Sequence, residues 1–265
     1  MVRQLLKCLR DRPCPVGSLT GIIFEGVEED LEVDLSIVIP VYRSAASVGP
    51  LHDAIVSACA AFDGDFELIL VEDCGGDGSW EQIQALAIAD SRVRGLRLTR
   101  NFGQHYALTA GLSVSSGKWV VTMDCDLQDD PSCILELVQT ACDRRADVVQ
   151  VRRQRRADSW MNSLTSRAFY SLFHLMSGLE MDPAVGSFRL MSRRVVQQYL
   201  QLPERYRFFG GLIQWLGYPT VSVDLPHRPR FAGRSSYNLI RRARLAMDAV
   251  LSFSDRPLKA RSEEH

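Results

Sequence analysis

The residues best suited to chemistry lie in MDCDLQDDP at 123–131, where Asp124 and Asp126 stand two apart directly after the apolar run KWVVTM. Two hard carboxylate donors at that spacing suit Mg2+ or Mn2+, which favour carboxylate, water and phosphate oxygens. Such an ion stabilises the charge left on a departing nucleoside diphosphate when a sugar is transferred. The same residues also read as a solvated acidic turn in which Asp129 caps the next helix. A D-x-D pair alone does not decide between the two, but its place at the end of a predicted strand favours the first.

Other polar groups occupy similar positions. In LVEDCGGDGSW, Glu72 and Asp73 follow the run FELILV, and Gly75, Gly76 and Gly78 supply a tight turn. An acid there accepts from a base N–H or a ribose hydroxyl, or serves only the turn and the helix that follows. RNFGQHYALTAG adds Arg100, Asn101 and Gln104. Arg100 can pair with a diphosphate, whereas His105 falls inside a predicted helix and is read as structural. Arg152, Arg153, Arg155 and Arg156 follow another apolar run. They either clamp a phosphate or form a solvated charged face. Arg189 is either a further phosphate contact or half of an internal ion pair.

These groups need elements to place them. Apolar runs at 35–40, 66–71, 93–98, 118–123 and 147–151 predict strands, and helical spacing occupies 48–62, 79–89, 103–114 and 131–142. Ser79 is expected to cap the second helix, and Pro131 stands in the first turn of the fourth. The alternation implies parallel βαβ units in an α/β fold with helices on both faces of the sheet. Ligands in such folds bind beyond the carboxyl ends of the strands. That rule points at 41–42, 72–73, 100–101 and 124–130. Beyond 152 the pattern changes, with helices predicted at 159–177, 195–200, 208–216 and 237–253, and strands at 186–191 and 220–224.

Composition sets outer bounds. The 265 residues are 46% hydrophobic and 24% charged with a formal net charge of −1, which is ordinary globular composition. The near-zero charge gives no global field for nucleic acid, which is not an expected partner. Seven cysteines with no C-x-x-C pair argue against a zinc cluster or a disulfide framework and for a reducing, cytoplasmic setting. No apolar run reaches the length of a spanning helix. Residues 1–33 read as an extension. In the last helix Ile240, Ala243, Met247, Val250 and Leu251 fall on one stripe beside Arg241, Arg242 and Arg244. That helix either lies in a membrane interface, giving a peripheral location at the inner face of the cytoplasmic membrane, or packs on the domain.

Taken together, SIVIPVYR, VEDCGGDGSW, RNFGQHYALTAGL, MDCDLQDDP, VRRQRRADSW, GSFRLMSRR, RYRFFGGLIQWLGY and FSDRPL resemble the inverting family-2 glycosyltransferases. Within these the sequence looks like the polyprenyl-phosphate branch, which includes dolichol-phosphate mannosyltransferase and the bacterial undecaprenyl-phosphate sugar transferases. The resemblance runs from about Leu35 to Leu258. It implies a GT-A (Rossmann-like) domain over 34–236, followed by a juxtamembrane-like helix and tail over 237–265. It implies transfer of a sugar from a nucleotide-sugar donor, expected to be a UDP-sugar, to a polyprenyl phosphate, with Mg2+ or Mn2+ as cofactor.

Carried over residue by residue, the resemblance places Asp124, Asp126 and Gln128 around the metal and Asp73 on the base. Pro40, Tyr42, Glu72, Arg100, Asn101 and Gln104 belong to the donor side. Asp182 in MDPAVGSF joins Asp124 and Asp126 as a catalytic acid. The acceptor phosphate falls to Arg152, Arg155, Arg189, Arg230 and Arg234.

The sequence departs from the family pattern at Glu72 for Asp and Cys74 for Gly. Ala184 and Ser187 stand where acids are common, and Ser236 replaces a Lys, for which Arg234 offers a substitute cation. Relatives with FSxxPL continue into membrane helices, whereas this sequence ends at LKARSEEH. Both a soluble member and a chain severed from its membrane part fit that ending. Two other functions stay open on sequence alone. One is a glycosyltransferase with a glycan or small-molecule acceptor, and the other is a non-catalytic subunit that kept the fold.

Overall fold

The computed structural model describes residues 33–153, 182, 184–204 and 207–225. The strands are β1 (Leu35–Val41), β2 (Phe66–Glu72), β3 (Val93–Arg97), β4 (Trp119–Thr122), β5 (Val148–Arg153), β6 (Val185–Ser192) and β7 (Thr220–Leu225). The helices are α1 (Ala45–Cys59), α2 (Ser79–Ala89), α3 (Gln104–Val114), α4 (Ile134–Arg144), α5 (Arg193–Gln201) and α6 (Phe209–Trp215), with a 3-10 turn at Pro131–Cys133 ahead of α4. The predicted helices at 159–177 and 237–253 and the extension at 1–32 lie outside the described residues.

The strands form one sheet in the order β3-β2-β1-β4-β6-β5-β7. β1 pairs in parallel with β2 and β4, as does β2 with β3. All seven residues of FELILVE in β2 are buried. That suits a strand covered on both faces, where continuous apolar runs replace alternation. Its side chains divide by parity. Leu68 and Leu70 join the core under α1, α2 and α4, while Ile69 and Val71 join the core under α3, α5 and α6.

Two features of this topology place the site. The chain steps outward from β1 through β2 to β3, and α3 then returns it to the other edge of β1, where β4 pairs. A crevice opens at such a switch point, beyond the carboxyl ends of the two strands. In addition, β6 runs antiparallel to both β4 and β5, so its first residues lie at the same pole as the last residues of its neighbours. The sequence pattern anticipated parallel units and did not reveal this reversal.

Helix boundaries moved for identifiable reasons. α1 starts at Ala45, with Pro50 inside it, upstream of the predicted start at 48. The Ala45 N–H donates to Asp77 Oδ2 at 3.0 Å and the Ser44 N–H to Ser79 Oγ at 3.2 Å. A loop 32 to 35 residues downstream thus satisfies the exposed donors of the first turn. Ser79 does not cap α2 as expected; it is the first helical residue, and its hydroxyl donates to Asp77 Oδ1 at 2.6 Å. Asp130 rather than Asp129 caps the turn ahead of α4, accepting from the Ser132 N–H at 3.1 Å. Pro131 at the first helical position sets that register. Among the described residues no helix is long and apolar enough to cross a membrane.

Candidate active site

The loop after β2 is built around its two acids. Glu72 is 1% exposed; its Oε1 accepts from the Gly75 N–H at 2.5 Å and its Oε2 lies 3.2 Å from Arg97 Nε. Gly75 is required where it stands, because a Cβ there would sit 2.7 Å from the Arg43 backbone nitrogen. Asp73 reaches the next loop: Oδ1 accepts from the Phe102 N–H at 2.7 Å, and Oδ2 accepts from the Gly103 N–H at 2.8 Å and Asn101 Nδ2 at 3.0 Å. Burial pushes its carboxyl above the ordinary aspartate value, against the two backbone hydrogen bonds. Both acids therefore organise backbone at the strand ends, and Asn101 serves Asp73. Arg100 is exposed, its guanidinium 4.1 Å from the Phe102 ring centre. Pro40 and Tyr42 are half-buried at the end of β1, with the Arg43 guanidinium 5.3 Å from the Tyr42 ring centre.

The D-x-D loop leaves β4 on the other side of the crevice. Asp124 Oδ1 accepts from Gln104 Nε2 at 2.7 Å and from Ser187 Oγ at 2.6 Å. Gln104 comes from the first turn of α3 and Ser187 from the start of β6, so a donor arrives from each side. The β6 contact follows from register: Thr122 pairs with Arg189, which brings Asp124 opposite Ser187. Thr122 Oγ1 also donates to the Ser187 carbonyl at 2.6 Å. Asp126 Oδ1 accepts from the Gln128 N–H at 3.1 Å, and Leu127 between them has φ of 58°. Asp124, Asp126 and Gln128 are all half-buried. Cys125 between the acids is buried, and its thiol is pushed up to about 12 by burial and the neighbouring carboxylates.

On the far side, Arg152 and Asp182 come together. Arg152 Nε donates to Asp182 Oδ2 at 2.7 Å, and Arg152 Nη1 lies 3.6 Å from Asp224 Oδ1 on β7. Asp182 Oδ1 accepts from the Ala184 N–H at 2.8 Å. Arg189 is buried and makes no ion pair among the described residues. Its Nη2 donates to the Gly186 carbonyl at 2.7 Å, and its guanidinium lies 5.0 Å from the Phe209 ring centre. Burial lowers Arg189 to about 10, which leaves it charged at neutral pH. His105 packs edge-on to Phe208 with centroids 5.7 Å apart, and burial, then the Arg189 charge, lower it to about 4. It is neutral near pH 7, in keeping with the structural reading. Arg155, Arg230 and Arg234 lie outside the described residues.

Three residues of the site were not anticipated. Asp77 ties the β2 loop to α1, Ser187 holds Asp124, and Asp224 flanks Arg152. Asp77 was visible only as part of a Gly-rich turn, and Ser187 only as a missing acid. Asp224 had no local signal, because its role depends on β7 pairing beside β5.

The donor set fits a divalent cation in chemistry: Asp124, Asp126 and Gln128 offer only oxygen donors, as Mg2+ and Mn2+ prefer. Among the described residues no cluster of three or more His, Cys, Asp or Glu side chains converges to hold a metal. An ion at this loop would therefore complete its shell with diphosphate and water oxygens, the usual mode for Mg2+.

A single sheet with its polar loops gathered at the β1/β4 switch point defines the GT-A class. Solved structures agree on the fold. Glucosyl-3-phosphoglycerate synthase from Mycobacterium tuberculosis, crystallised with Mn2+, uridine diphosphate and glucosyl-3-phosphoglycerate, superposes with a TM-score of 0.56 at 18% identity, covering 83% of this chain and 78% of that one. Mannosyl-3-phosphoglycerate synthase from Rubrobacter xylanophilus gives 0.59 at 16% identity, covering 88% and 76%. Residues 36–200 match Glycosyl transferase family 2, and the chain belongs to that family; it is a glycosyltransferase. Among its relatives, the undecaprenyl-phosphate 4-deoxy-4-formamido-L-arabinose transferase of Aeromonas hydrophila is 33% identical over 85% of this chain and 69% of its own length. The bactoprenol glucosyl transferase of Shigella phage SfV is 34% identical over 85% and 73%.

Proposed function

We infer that this glycosyltransferase moves a sugar from a nucleoside diphosphate donor, a UDP-sugar, to a polyprenyl phosphate. The observation that carries this reading is the junction at Asp124, where one carboxylate oxygen accepts from Gln104 on the donor side and Ser187 at the start of β6. It links the nucleotide loops after β2 and β3 to the edge where Arg152 and Asp182 meet. The names of the relatives that act on undecaprenyl phosphate or bactoprenol support the acceptor.

In this reading Asp73 serves the donor by fixing the backbone of 101–103, and Arg100 stands beside it as the exposed cation for the diphosphate. Asp124, Asp126 and Gln128 hold Mg2+ or Mn2+, which when bound neutralises charge on the leaving diphosphate. Arg152, steered by Asp182, faces the acceptor phosphate. That acceptor is anionic near neutral pH and needs little help from a general base. Orientation and charge placement then carry the rate.

The test is a product assay. The chain is incubated with a panel of nucleotide sugars, Mg2+ or Mn2+, and undecaprenyl phosphate, and the lipid fraction is read by mass spectrometry. One UDP-sugar is expected to give a polyprenyl phosphate heavier by a single sugar residue. Transfer only to soluble sugars or phosphorylated small molecules would reject the polyprenyl acceptor.

A further inference from the structure

The chain leaves β1 through Tyr42 and Arg43 at the middle of the crevice. β1 lies between β2, which runs into Asp73, and β4, which runs into Asp124 and Asp126. Neighbouring strands stand about 4.8 Å apart, so the β2 and β4 loops are separated by about 10 Å with the end of β1 between them. A nucleoside diphosphate with its nucleoside at the β2 and β3 loops and its leaving phosphate at the β4 loop crosses the end of β1 with its α-phosphate.

Arg43 stands there with an exposed side chain, its guanidinium 5.3 Å from the Tyr42 ring centre, close enough for the ring face to hold a cation. Its Nε donates to the Gly75 carbonyl at 3.4 Å, too long to fix the group firmly. Carboxylates crowd this pole, at Glu72, Asp73, Asp77, Asp124 and Asp126, so an anionic ligand needs cations among them. Arg97 is taken by Glu72 and Arg152 by Asp182. Arg43 and Arg100 make no ion pair among the described residues, and each guanidinium lies against an aromatic ring instead.

The backbone gives a second, independent observation. Arg43 has φ of 51°, a left-handed conformation that glycine takes freely and other residues take at a cost. Neighbouring elements impose this turn: Gly75 packs against the Arg43 nitrogen, and the Ser44 and Ala45 N–H groups donate to Ser79 and Asp77. Glycine would suit the turn better, so what Arg43 contributes is its side chain. We propose that Arg43 is a specificity-determining residue for the donor: its guanidinium, laid on Tyr42, binds the α-phosphate and makes the site select a phosphorylated nucleoside. This inference rests on the reading of the crevice as a nucleoside diphosphate site.

The experiment is calorimetric titration of the full chain with UDP, UMP and uridine, each with Mg2+, alongside thermal melting. Arg43→Gly should weaken UDP and UMP by about tenfold, the scale of one lost charge-assisted hydrogen bond, and leave uridine unchanged. Its melting temperature should be no lower than that of the unaltered protein, because glycine relieves the turn. Arg43→Gln keeps a long polar side chain without the charge and should lose affinity in the same pattern, so the inference does not depend on the folding of one variant. Arg43→Lys keeps the charge without the planar fork and should fall between. If the unaltered protein binds UDP and both Arg43→Gly and Arg43→Gln bind it as tightly, or weaken uridine as much as UDP, the phosphate role of Arg43 is wrong while the donor site stands. If the unaltered protein binds none of the three, the donor reading falls and the role of Arg43 with it.

Discussion

Asp73 commits both carboxylate oxygens to the loop 101–103, so its removal should reach beyond ligand binding. Asp73→Ala leaves the part-buried N–H groups of Phe102 and Gly103 without their acceptor, at a combined cost of about 1–3 kcal/mol. The variant should melt at lower temperature and also bind UDP more weakly, because Arg100 and Gln104 hang from the same loop. Calorimetry of melting and of UDP binding reads both; weaker binding with an unchanged melting temperature would favour a direct base contact instead. The sequence showed where this acid stands, at the end of a buried run, but not that its partners are backbone donors 29 and 30 residues away. Arg189 was similarly half-legible. Its place near a strand end was plain, whereas its burial against Phe209 depends on α6, which folds over β6 from a later part of the chain.

At the scale of elements, the βαβ core was readable because its strands are unbroken apolar runs. The reversal of β6 was not, since a strand buried on both faces carries no mark of its direction. The start of α1 moved because Asp77, from another loop, accepts from its first turn. Close packing between elements was equally silent in the sequence. Gly111 in α3 lies over β1 and β2, where a Cβ would stand 2.3 Å from Val38 Cγ1 and 3.0 Å from Val71 Cγ2, both fully buried side chains. Gly111→Val should therefore cost about 1–3 kcal/mol by overpacking. Urea denaturation should show an earlier midpoint with a similar slope, and an unchanged midpoint would contradict the packing described.

Across the whole molecule, the pole opposite the site carries a buried polar cluster that holds the sheet together. Glu67 Oε1 accepts from Ser36 Oγ at 2.6 Å and from the Ser116 N–H at 2.7 Å, and Oε2 accepts from Arg94 Nη1 at 2.9 Å. Burial raises the Glu67 carboxyl, but hydrogen bonds from Ser36, Ser116 and Arg94 outweigh it and hold the group below its ordinary value. An acid with a depressed folded pKa adds stability that is fully present above its unfolded pKa and is lost as pH falls through the folded one. Melting temperature should thus fall with acidification below the ordinary glutamate range, and Glu67→Gln should flatten that part of the profile while lowering stability at neutral pH. An acid limb identical in both proteins would assign the loss to other carboxylates.

Consumption of a nucleotide sugar through a cation held by the loop after β4 is the centre of the proposed function. Its most direct test is release of UDP from the preferred UDP-sugar in the presence of undecaprenyl phosphate, measured for the unaltered chain and for Asp126→Ala, with Mg2+ or Mn2+ and then with EDTA. The unaltered chain should release UDP steadily, lose that release in EDTA and recover it when the metal is added back, and a folded Asp126→Ala variant should release none at any metal concentration. Release that continues undiminished in EDTA, or in Asp126→Ala, would contradict it.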